Sequence, residues 1–217
     1  MSIELLTFDI FGTVVDWRRG VAALSDAQFD RAVDRQGALE QPAGSGGTPA
    51  GSVAASRFRS YAGIVAQSLV EVAAIDAVTA ARLGAEAGKW PLFPDSADAL
   101  RRLRAKAPCA AITNSDADHG RQVRAQLGFE LDGWICAEEV RAYKPDHRMW
   151  EAASERMKVP FSRSWWHVSA YADYDHETAR KLGLTCVFVR RPHSRPGPCD
   201  LEVKDLAELA QKVEQIT

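Results

Sequence analysis

Residues 4–17 read ELLTFDIFGTVVDW, an apolar run that reaches Asp9 and continues into a Gly-Thr turn. A short apolar run of this kind predicts a buried strand, so Asp9 is expected at the carboxyl end of the first strand. In open α/β sheets, the strand ends and the loops after them form the crevice that binds ligands. Asp9 is therefore a candidate nucleophile. Phe11 stands two residues later, where a second acid would supply the proton donor for phosphoryl chemistry.

Beyond this strand, the chain alternates short apolar runs with amphipathic segments. This alternation is typical of a mostly parallel sheet that is covered by helices on both faces. The sequence therefore predicts an α/β fold with a doubly wound, mostly parallel, Rossmann-like sheet. The predicted strands span about 109–113, 133–137, 165–169 and 185–189, and the predicted helices begin at 94–96 or span about 118–127, 145–157, 175–182 and 201–216.

An inserted region separates the first strand from the rest of this pattern. Its segment 37–52, GALEQPAGSGGTPAGS, has too few large apolar residues to order a helix or strand and predicts a flexible loop. Its flanks are alanine-rich with helical spacing, which predicts a small helical cap. A gating role for the loop and a tolerated surface insertion are equally open. The predicted division is a core domain of residues 1–16 and 91–217 and a cap domain of residues 17–90.

Composition excludes several classes of protein. The chain has 217 residues, of which 46% are hydrophobic, enough for one sizeable core or a core with a small accessory domain. The net charge of −2 and the lack of a basic run predict no nucleic-acid partner. The four cysteines are far apart and form no Cys-x-x-Cys pair, which argues against zinc and disulfides. Without a basic leader or a membrane-length apolar segment, a soluble cytoplasmic protein is expected.

Four short segments carry the chemistry, and they follow one another in a recognisable order. They are Asp9-Ile10-Phe11-Gly12-Thr13, Thr113-Asn114-Ser115, Tyr143-Lys144-Pro145-Asp146 and the run 168–176, VSAYADYDH. Together they resemble the haloacid dehalogenase superfamily. Its phosphatases carry Asp-x-Asp-Gly-Thr in the first segment, whereas its haloacid dehalogenases carry Asp-x-(Tyr/Phe)-Gly-Thr. The chain is therefore similar to the (S)-2-haloacid dehalogenase type II branch.

The resemblance implies a role for each polar residue. Asp9 would displace halide from a short 2-haloalkanoate and form an ester that water then hydrolyses. Lys144 would keep Asp9 ionised, since burial alone would protonate a carboxylate. Asp175 would activate the hydrolytic water, with a plain helix cap as its alternative. Thr13 and Thr113 would bond to the Asp9 carboxylate or position the water.

The substrate is expected to meet a mixed polar and aromatic wall. Asn114 can donate to a substrate carboxylate, although both Asn114 and Thr113 can also cap the following helix. Aromatic rings can line a halide pocket, and Trp17 and Trp150 are candidates for this role. Packing in the core is the alternative for both. The resemblance also implies an arginine from the cap against the substrate carboxylate, since a guanidinium matches a carboxylate with two donors. The substrate-site candidates are Phe11, Trp17, Asn114, Trp150 and Arg57, with Arg59 as the alternative arginine.

The fourth segment bears on metal binding. Magnesium-dependent phosphatases of the superfamily have Gly-Asp where this chain has Ser169-Ala170, and their aspartate is a metal ligand. Because Phe11 and Ala170 are both apolar, catalysis without a metal or other cofactor is expected. His147 and His176 flank the motifs without an assigned role and are expected at solvent-facing helix positions.

Three functions remain open at this point. The first is a dehalogenase-type hydrolase acting on a small 2-haloacid. The second is a phosphatase with a reduced site, disfavoured because Phe11 cannot protonate a leaving alcohol. The third is a binding protein that keeps the fold without catalysis. The resemblance also leaves a homodimer open, since relatives are often dimers.

Overall fold

A computed structural model of the chain describes residues 2–41 and 58–216, in which six parallel strands form one sheet. The strand order is β3-β2-β1-β4-β5-β6. The first strand lies between β2 and β4, with Leu6 opposite Cys109 on one side and Trp166 on the other. The strands are β1 (Leu5–Phe8), β2 (Cys109–Thr113), β3 (Gly133–Cys136), β4 (Trp165–Ser169), β5 (Thr185–Val189) and β6 (Leu201–Val203).

Helices cover both faces of the sheet. Alternate residues of β1 point to opposite sides, so that Leu6 and Phe8 enter one apolar core and Leu5 enters the other. The helices are α1 (Trp17–Gly20), α2 (Asp26–Glu40), α3 (Tyr61–Ala73), α4 (Ala77–Ala85), α5 (Ser96–Arg104), α6 (Ala117–Leu127), α7 (Ala137–Val140), α8 (Arg148–Met157), α9 (Asp175–Lys181) and α10 (Leu206–Ile216). None of these helices is long and apolar enough to cross a bilayer.

The strand order places a crevice beside β1. The chain builds β1, β2 and β3 in one direction and then returns to the other side of β1 for β4, β5 and β6. Such a reversal separates the loops on either side of it, and ligands bind there at the carboxyl ends of the strands. Asp9 follows β1 at this edge, and Ser169 ends β4 next to it.

Helices α2, α3 and α4 lie between β1 and β2 in the sequence and pack against one another. Gln36 on α2 donates to Ser68 on α3 at 3.2 Å, and both side chains are buried. Gly84 on α4 lies so close to the Ala62 carbonyl that a Cβ would sit 2.3 Å from its oxygen. This close approach requires glycine and fixes α4 against the start of α3.

Three predictions of secondary structure were wrong. The helix predicted from Pro145 begins only at Arg148, after a turn in which the Asp146 amide donates to the Tyr143 carbonyl. Residues 37–40, expected in the flexible loop, complete the last turn of α2, because the helix continues past Gly37 to Glu40. The rest of that predicted loop, residues 42–52, lies outside the described residues. The predicted helix over 201–216 begins only at Leu206, since Leu201–Val203 pairs with β5 as the edge strand β6. Three residues are too few for periodicity to distinguish a strand from the first turn of a helix.

Candidate active site

Three charged side chains meet at the carboxyl edge of the sheet. The Lys144 Nζ donates to Asp9 Oδ1 at 2.9 Å and to Asp175 Oδ2 at 2.8 Å. Asp9 follows β1, Lys144 precedes α8, and Asp175 begins α9, so the three arrive from separate elements. The side chains of Lys144 and Asp175 are fully buried, and that of Asp9 is 5% exposed. The structure therefore brings together three of the residues predicted to be catalytic.

The burial of this group changes its protonation equilibria. Burial raises the pKa of Asp9 above its ordinary value, while the ammonium of Lys144 opposes the shift. Burial disfavours the ammonium as well, but Asp175 and Asp9 together hold the pKa of Lys144 above its ordinary value. Despite its burial, the pKa of Asp175 is held well below the ordinary value by Lys144 and His167. One cation thus serves two carboxylates.

Hydroxyl groups fix the orientation of both carboxylates. Thr13 Oγ1 donates to Asp9 Oδ2 at 2.7 Å and accepts the Ala170 amide at 2.9 Å. Ser169 Oγ donates to Asp175 Oδ2 at 2.8 Å. Asp175 Oδ1 is buried and has no hydrogen-bond partner among the described residues, so this oxygen is available to accept a proton.

The second motif supports the site differently from the sequence prediction. Thr113 Oγ1 donates to Ser115 Oγ at 3.2 Å and makes no described bond to Asp9. Asn114 accepts the Lys144 amide at 2.6 Å, and its Nδ2 donates to Glu40 Oε2 at 2.9 Å. Neither residue caps α6, whose N-cap is Asp116. Asn114 therefore positions the Lys144 backbone and faces a carboxylate of the protein itself.

A pocket of about 320 Å³ opens above Asp9. This volume is at the lower end of the range for small-molecule sites. Elements from the sheet edge and from α2 and α3 form its wall. The lining residues are Asp9, Phe11, Trp17, Val33, Asp34, Gln36, Gly37, Glu40, Gln41, Tyr61, Thr113, Asn114, Lys144, Pro145, Tyr171, Asp173, Tyr174 and Arg195.

Aromatic rings form much of this wall. The Phe11 ring contacts that of Tyr61, with centroids 5.4 Å apart. Trp17 Nε1 donates to the Tyr171 hydroxyl at 3.1 Å, and the two rings meet edge to face. Trp150 does not line the pocket. Its indole is buried in the first turn of α8 and meets the His167 ring on the core side, so the core-packing alternative describes it.

Of the two predicted cap arginines, only Arg59 belongs to the described residues, and it does not line the pocket. Arg57 lies outside the described residues. Arg59 is exposed and its guanidinium donates to Gln67, on the outside of α3. Among the described residues, the arginine that lines the pocket is Arg195, which comes from the loop between β5 and β6.

Several site residues lack a signal in the sequence. Glu40 is the last residue of α2, and burial raises its pKa to about 8. Glu40 and Arg195 carry no motif and reach the pocket only through tertiary packing. Tyr171 and Tyr174 stand inside the fourth segment, where their position could have identified them. His176, expected to face solvent, is instead buried and bonds the Pro198 carbonyl, because α9 packs this face on the sheet.

The side chains around Asp9 decide whether a metal ion could bind there. Phe11 and Ala170 supply no oxygen ligand from their side chains, and the Lys144 ammonium already lies between Asp9 and Asp175. Within residues 2–41 and 58–216, no group of three or more acidic, histidine or cysteine side chains is arranged to hold a metal. A catalytic magnesium ion needs several oxygen ligands in near-octahedral geometry, which this donor set does not offer.

Comparison with known proteins gives a family and a fold. Residues 3–166 match the sequence profile of the haloacid dehalogenase-like hydrolases. The (S)-2-haloacid dehalogenase H-109 of Pseudomonas putida is 31% identical over 144 residues, which cover 63% of this chain and 63% of that enzyme. An (S)-2-haloacid dehalogenase of Pseudomonas fluorescens is 30% identical over 125 residues, 54% of each chain. The chain thus spans less than two thirds of the length of these curated relatives.

Solved structures share the whole fold. The L-2-haloacid dehalogenase of Xanthobacter autotrophicus, solved with chloropropionic acid covalently bound, superimposes with a TM-score of 0.79 at 17% identity and covers 99% of this chain and 100% of its own. The defluorinating L-2-haloacid dehalogenase Rha0230 gives a TM-score of 0.78 at 22% identity, with 98% and 95% coverage. At these identities the likeness establishes the architecture.

Proposed function

The chain belongs to the haloacid dehalogenase-like hydrolase family, and on that premise we propose that it is a 2-haloacid dehalogenase. The reaction converts a short 2-haloalkanoate and water into a 2-hydroxyalkanoate, a halide ion and a proton. The observation that carries the proposal is the arrangement of Asp9, which is paired with Lys144 in a small pocket whose wall includes the Phe11 ring.

The first step is a displacement at carbon. An oxygen of the Asp9 carboxylate attacks C2 of the substrate, and the electron pair of the carbon–halogen bond leaves with the halide. An ester between Asp9 and C2 results. Thr13 and Lys144 hold the carboxylate in one orientation, which favours attack in line with the leaving halide. Lys144 also favours the ionised form that is needed for attack.

The second step is hydrolysis of this ester. A water molecule gives a proton to Asp175 and its oxygen adds to the ester carbonyl carbon of Asp9. The bond between the carbonyl carbon and the ester oxygen then breaks, and the proton of the added hydroxyl passes to the departing alkoxide oxygen. This restores the Asp9 carboxylate and releases the hydroxy acid, while Asp175 gives its proton to solvent. Within the part of the chain that the structure describes, Asp175 Oδ1 has no hydrogen-bond partner, whereas Oδ2 is held by Lys144 and Ser169. The free oxygen is the proton acceptor in this scheme.

Phe11 disfavours the phosphatase alternative. Phosphoryl transfer to Asp9 from a phosphate monoester requires a proton for the departing alcohol. The Phe11 side chain cannot supply one, and it packs against Tyr61, Trp90 and His119. An apolar ring at this place is compatible with a halide, which leaves without a proton.

The proposal is tested by measuring halide release from 2-chloropropionate, with and without a metal chelator. Wild-type protein is expected to release chloride at the same rate in both conditions, and Asp9→Asn is expected to abolish release. Asp118→Asn, an exposed aspartate on α6, serves as the matched control and is expected to keep full activity. Thermal melting of both variants verifies that they are folded.

A parallel assay with a phosphate ester and magnesium separates the alternatives. Magnesium-dependent phosphate release without halide release would replace the dehalogenase proposal with a phosphatase. Absence of both activities in folded protein would favour a binding protein with this fold.

The proposal includes the division into a core of residues 1–16 and 91–217 and a cap of residues 17–90. It also includes a cytoplasmic location. The four cysteines are free, and free thiols are typical of proteins in a reducing compartment. The small substrate and the net charge of −2 support an enzyme without a nucleic-acid partner. A homodimer, common among relatives, is tested by light scattering on the purified protein.

A further inference from the structure

The pocket presents an electrostatic problem for an anionic substrate. Its described wall contains four acidic side chains but only two basic ones, and three of the acids remain when Glu40, with its pKa raised by burial to about 8, is protonated. Lys144, one of the two, already faces two carboxylates at 2.9 and 2.8 Å. A 2-haloalkanoate brings another carboxylate into this negative environment, so its binding requires a cation that Lys144 does not provide. The acidic wall residues are Asp9, Asp34, Glu40 and Asp173, and the basic ones are Lys144 and Arg195.

We infer that Arg195 binds the carboxylate of the substrate and selects for acids over neutral haloalkanes and amides. This inference rests on the proposed function and names the substrate-recognising group of the same pocket. Arg195 is the remaining cation of the described wall. A guanidinium suits this role because it can donate two parallel hydrogen bonds to one carboxylate.

The backbone of Arg195 is fixed to the fourth motif. Its amide donates to the Ala170 carbonyl at 2.8 Å, and its carbonyl accepts the Ala172 amide at 2.9 Å. Gly197 lies against the backbone of Ala172, where a Cβ would approach within 2.6 Å. The backbone of Arg195 is therefore bonded to the short segment that leads from β4 to Asp175, and these main-chain bonds set its position relative to the reacting groups.

The side chain of Arg195 runs along the aromatic wall. Its guanidinium carbon lies 6.0 Å from the centre of the Tyr171 ring. The Tyr171 ring in turn covers Gly12, next to the nucleophile segment, and its hydroxyl accepts from Trp17. These contacts hold the guanidinium at the pocket wall, where its one hydrogen-bond acceptor among the described side chains is Asp34.

The present partner of Arg195 is one that a substrate can replace. Its Nη2 lies 2.5 Å from Asp34 Oδ1 on α2. The Asp34 side chain is 66% exposed, so water screens this ion pair and weakens it. A substrate carboxylate inside the pocket is less exposed than Asp34, so water screens its attraction to the same guanidinium less. Exchange of Asp34 for substrate is therefore the binding event that the geometry favours.

The test compares a charged and a neutral substrate of the same shape, 2-chloropropionate and 2-chloropropionamide. Arg195→Gln is expected to raise the KM for the acid about tenfold to 100-fold and to leave that for the amide unchanged. Arg195→Lys keeps the charge but not the paired donors, and an intermediate KM is expected. Asp34→Asn removes the competing carboxylate and is expected to lower the KM for the acid.

Arg190→Gln is the matched control. Arg190 is an exposed arginine of the same loop that pairs with Glu202 and does not line the pocket. Its removal is expected to change neither KM. Equal KM changes for acid and amide in Arg195→Gln would indicate a structural effect and overturn the inference, as would unchanged values for both.

Binding without turnover separates this inference from the proposed function. Calorimetric titration of 2-chloropropionate into Asp9→Asn and into Asp9→Asn/Arg195→Gln measures the affinity where Asp9 cannot attack. Loss of affinity only in the double variant supports the role of Arg195 even if wild-type protein releases no halide. Equal affinity in both variants, or no binding to either, contradicts it.

Discussion

At the scale of single residues, Lys144 supplies the positive charge that the two buried carboxylates of the site share. It is fully buried, yet its charge is retained because Asp9 and Asp175 lie on either side of it. A buried ion pair of this kind adds little to stability compared with apolar residues, but removal of one partner leaves charges without compensation. A substitution of Lys144 is therefore expected to affect both the activity of the site and the stability of the fold around it.

Substitution Lys144→Met keeps the length of the side chain and removes its charge. We expect a loss of about 3 kcal/mol in the free energy of unfolding, because two carboxylates remain buried without a cation. Halide release is expected to disappear. Urea denaturation measures the first effect, with Lys181→Met as control, an exposed lysine that pairs with Glu177 on α9 and is expected to change little. Equal urea midpoints for Lys144→Met and wild type would contradict the prediction.

Glu40 predicts a pH dependence of substrate binding. Burial raises its pKa to about 8, so the side chain is neutral below that pH and anionic above it. An anionic substrate is repelled by the ionised form, and the KM for 2-chloropropionate is expected to increase as the pH rises through about 8. Glu40→Gln is expected to remove this increase. The measurement is KM between pH 6 and pH 9.5, and a flat wild-type profile would exclude a charge change at Glu40.

At the scale of secondary structure, Asp116 joins two helices by their first turns. It is the N-cap residue of α6, and its Oδ1 and Oδ2 accept the amides of Tyr61 and Ala62 at 2.8 and 2.9 Å. These amides are among those that a helix leaves without internal partners at its start. One carboxylate of the core thus satisfies the start of α3, a helix whose Tyr61 lines the pocket.

Asp116→Ala should therefore affect both stability and substrate binding. We expect a loss of about 2 kcal/mol in the free energy of unfolding, since two backbone donors of α3 lose their acceptor. The KM is expected to increase because Tyr61 is no longer held against Phe11. Asp118→Ala, on the exposed side of the same helix, is the control for urea denaturation and kinetics. A KM unchanged from wild type would show that Tyr61 is held by other contacts.

Secondary structure was predictable where one physical signal was strong. The strands ending at Thr113, Ser169 and Val189 are short apolar runs followed by a polar turn, and their predicted and observed bounds coincide. The end of α2 was not predictable in this way, because Gly37 and the Gly-, Pro- and Ser-rich sequence that follows Glu40 favour a loop. Packing of the buried Gln36 against Ser68 holds the helix at this point.

At the scale of the whole molecule, a charged pair links distant parts of the core. Arg191 donates to both oxygens of Asp95 at 2.7 and 3.0 Å and to the Thr13 carbonyl at 3.1 Å. The same Asp95 carboxylate accepts the Leu206 amide at 2.7 Å. The nucleophile loop, the start of α5 and the start of α10 therefore share one ion pair, which is largely buried.

This pair predicts how stability depends on acid. Although burial opposes it, Arg191 holds the pKa of Asp95 below its ordinary value of 3.8. The folded protein thus binds this proton less readily than the unfolded chain does. The stabilisation is complete above pH 3.8 and is lost as the pH falls through the folded value. Asp95→Asn is expected to lower the free energy of unfolding by about 2 kcal/mol at pH 7. As the pH falls, the variant is expected to lose less of this free energy than wild type.

Urea midpoints of Asp95→Asn between pH 3 and pH 7 measure this effect. Asp26→Asn, an exposed aspartate on α2, is the control and is expected to follow the wild-type curve. Parallel curves for Asp95→Asn and wild type would show that other carboxylates dominate acid unfolding.

The site was predictable to the extent that its residues lie in motifs. Asp9 follows β1 and Asp175 begins α9, and parallel strands bring such positions to one edge of the sheet. Lys144 lies in the loop before α8, and its motif identified it. The arginine was not predictable, because Arg195 belongs to an irregular loop and meets the pocket through main-chain bonds to Ala170 and Ala172. A pattern of residue types contains no information on such a contact.

The pairing of one lysine with two aspartates also has a consequence for turnover. With all three groups ionised, Asp9, Lys144 and Asp175 carry one excess negative charge in a buried place. In the proposed reaction Asp9 becomes a neutral ester, which leaves Lys144 and Asp175 as a balanced pair. Formation of the intermediate therefore removes the excess negative charge of the resting protein, and hydrolysis restores that charge. The alkylated form is the electrically neutral state of this centre, and each catalytic cycle begins and ends in the charged one.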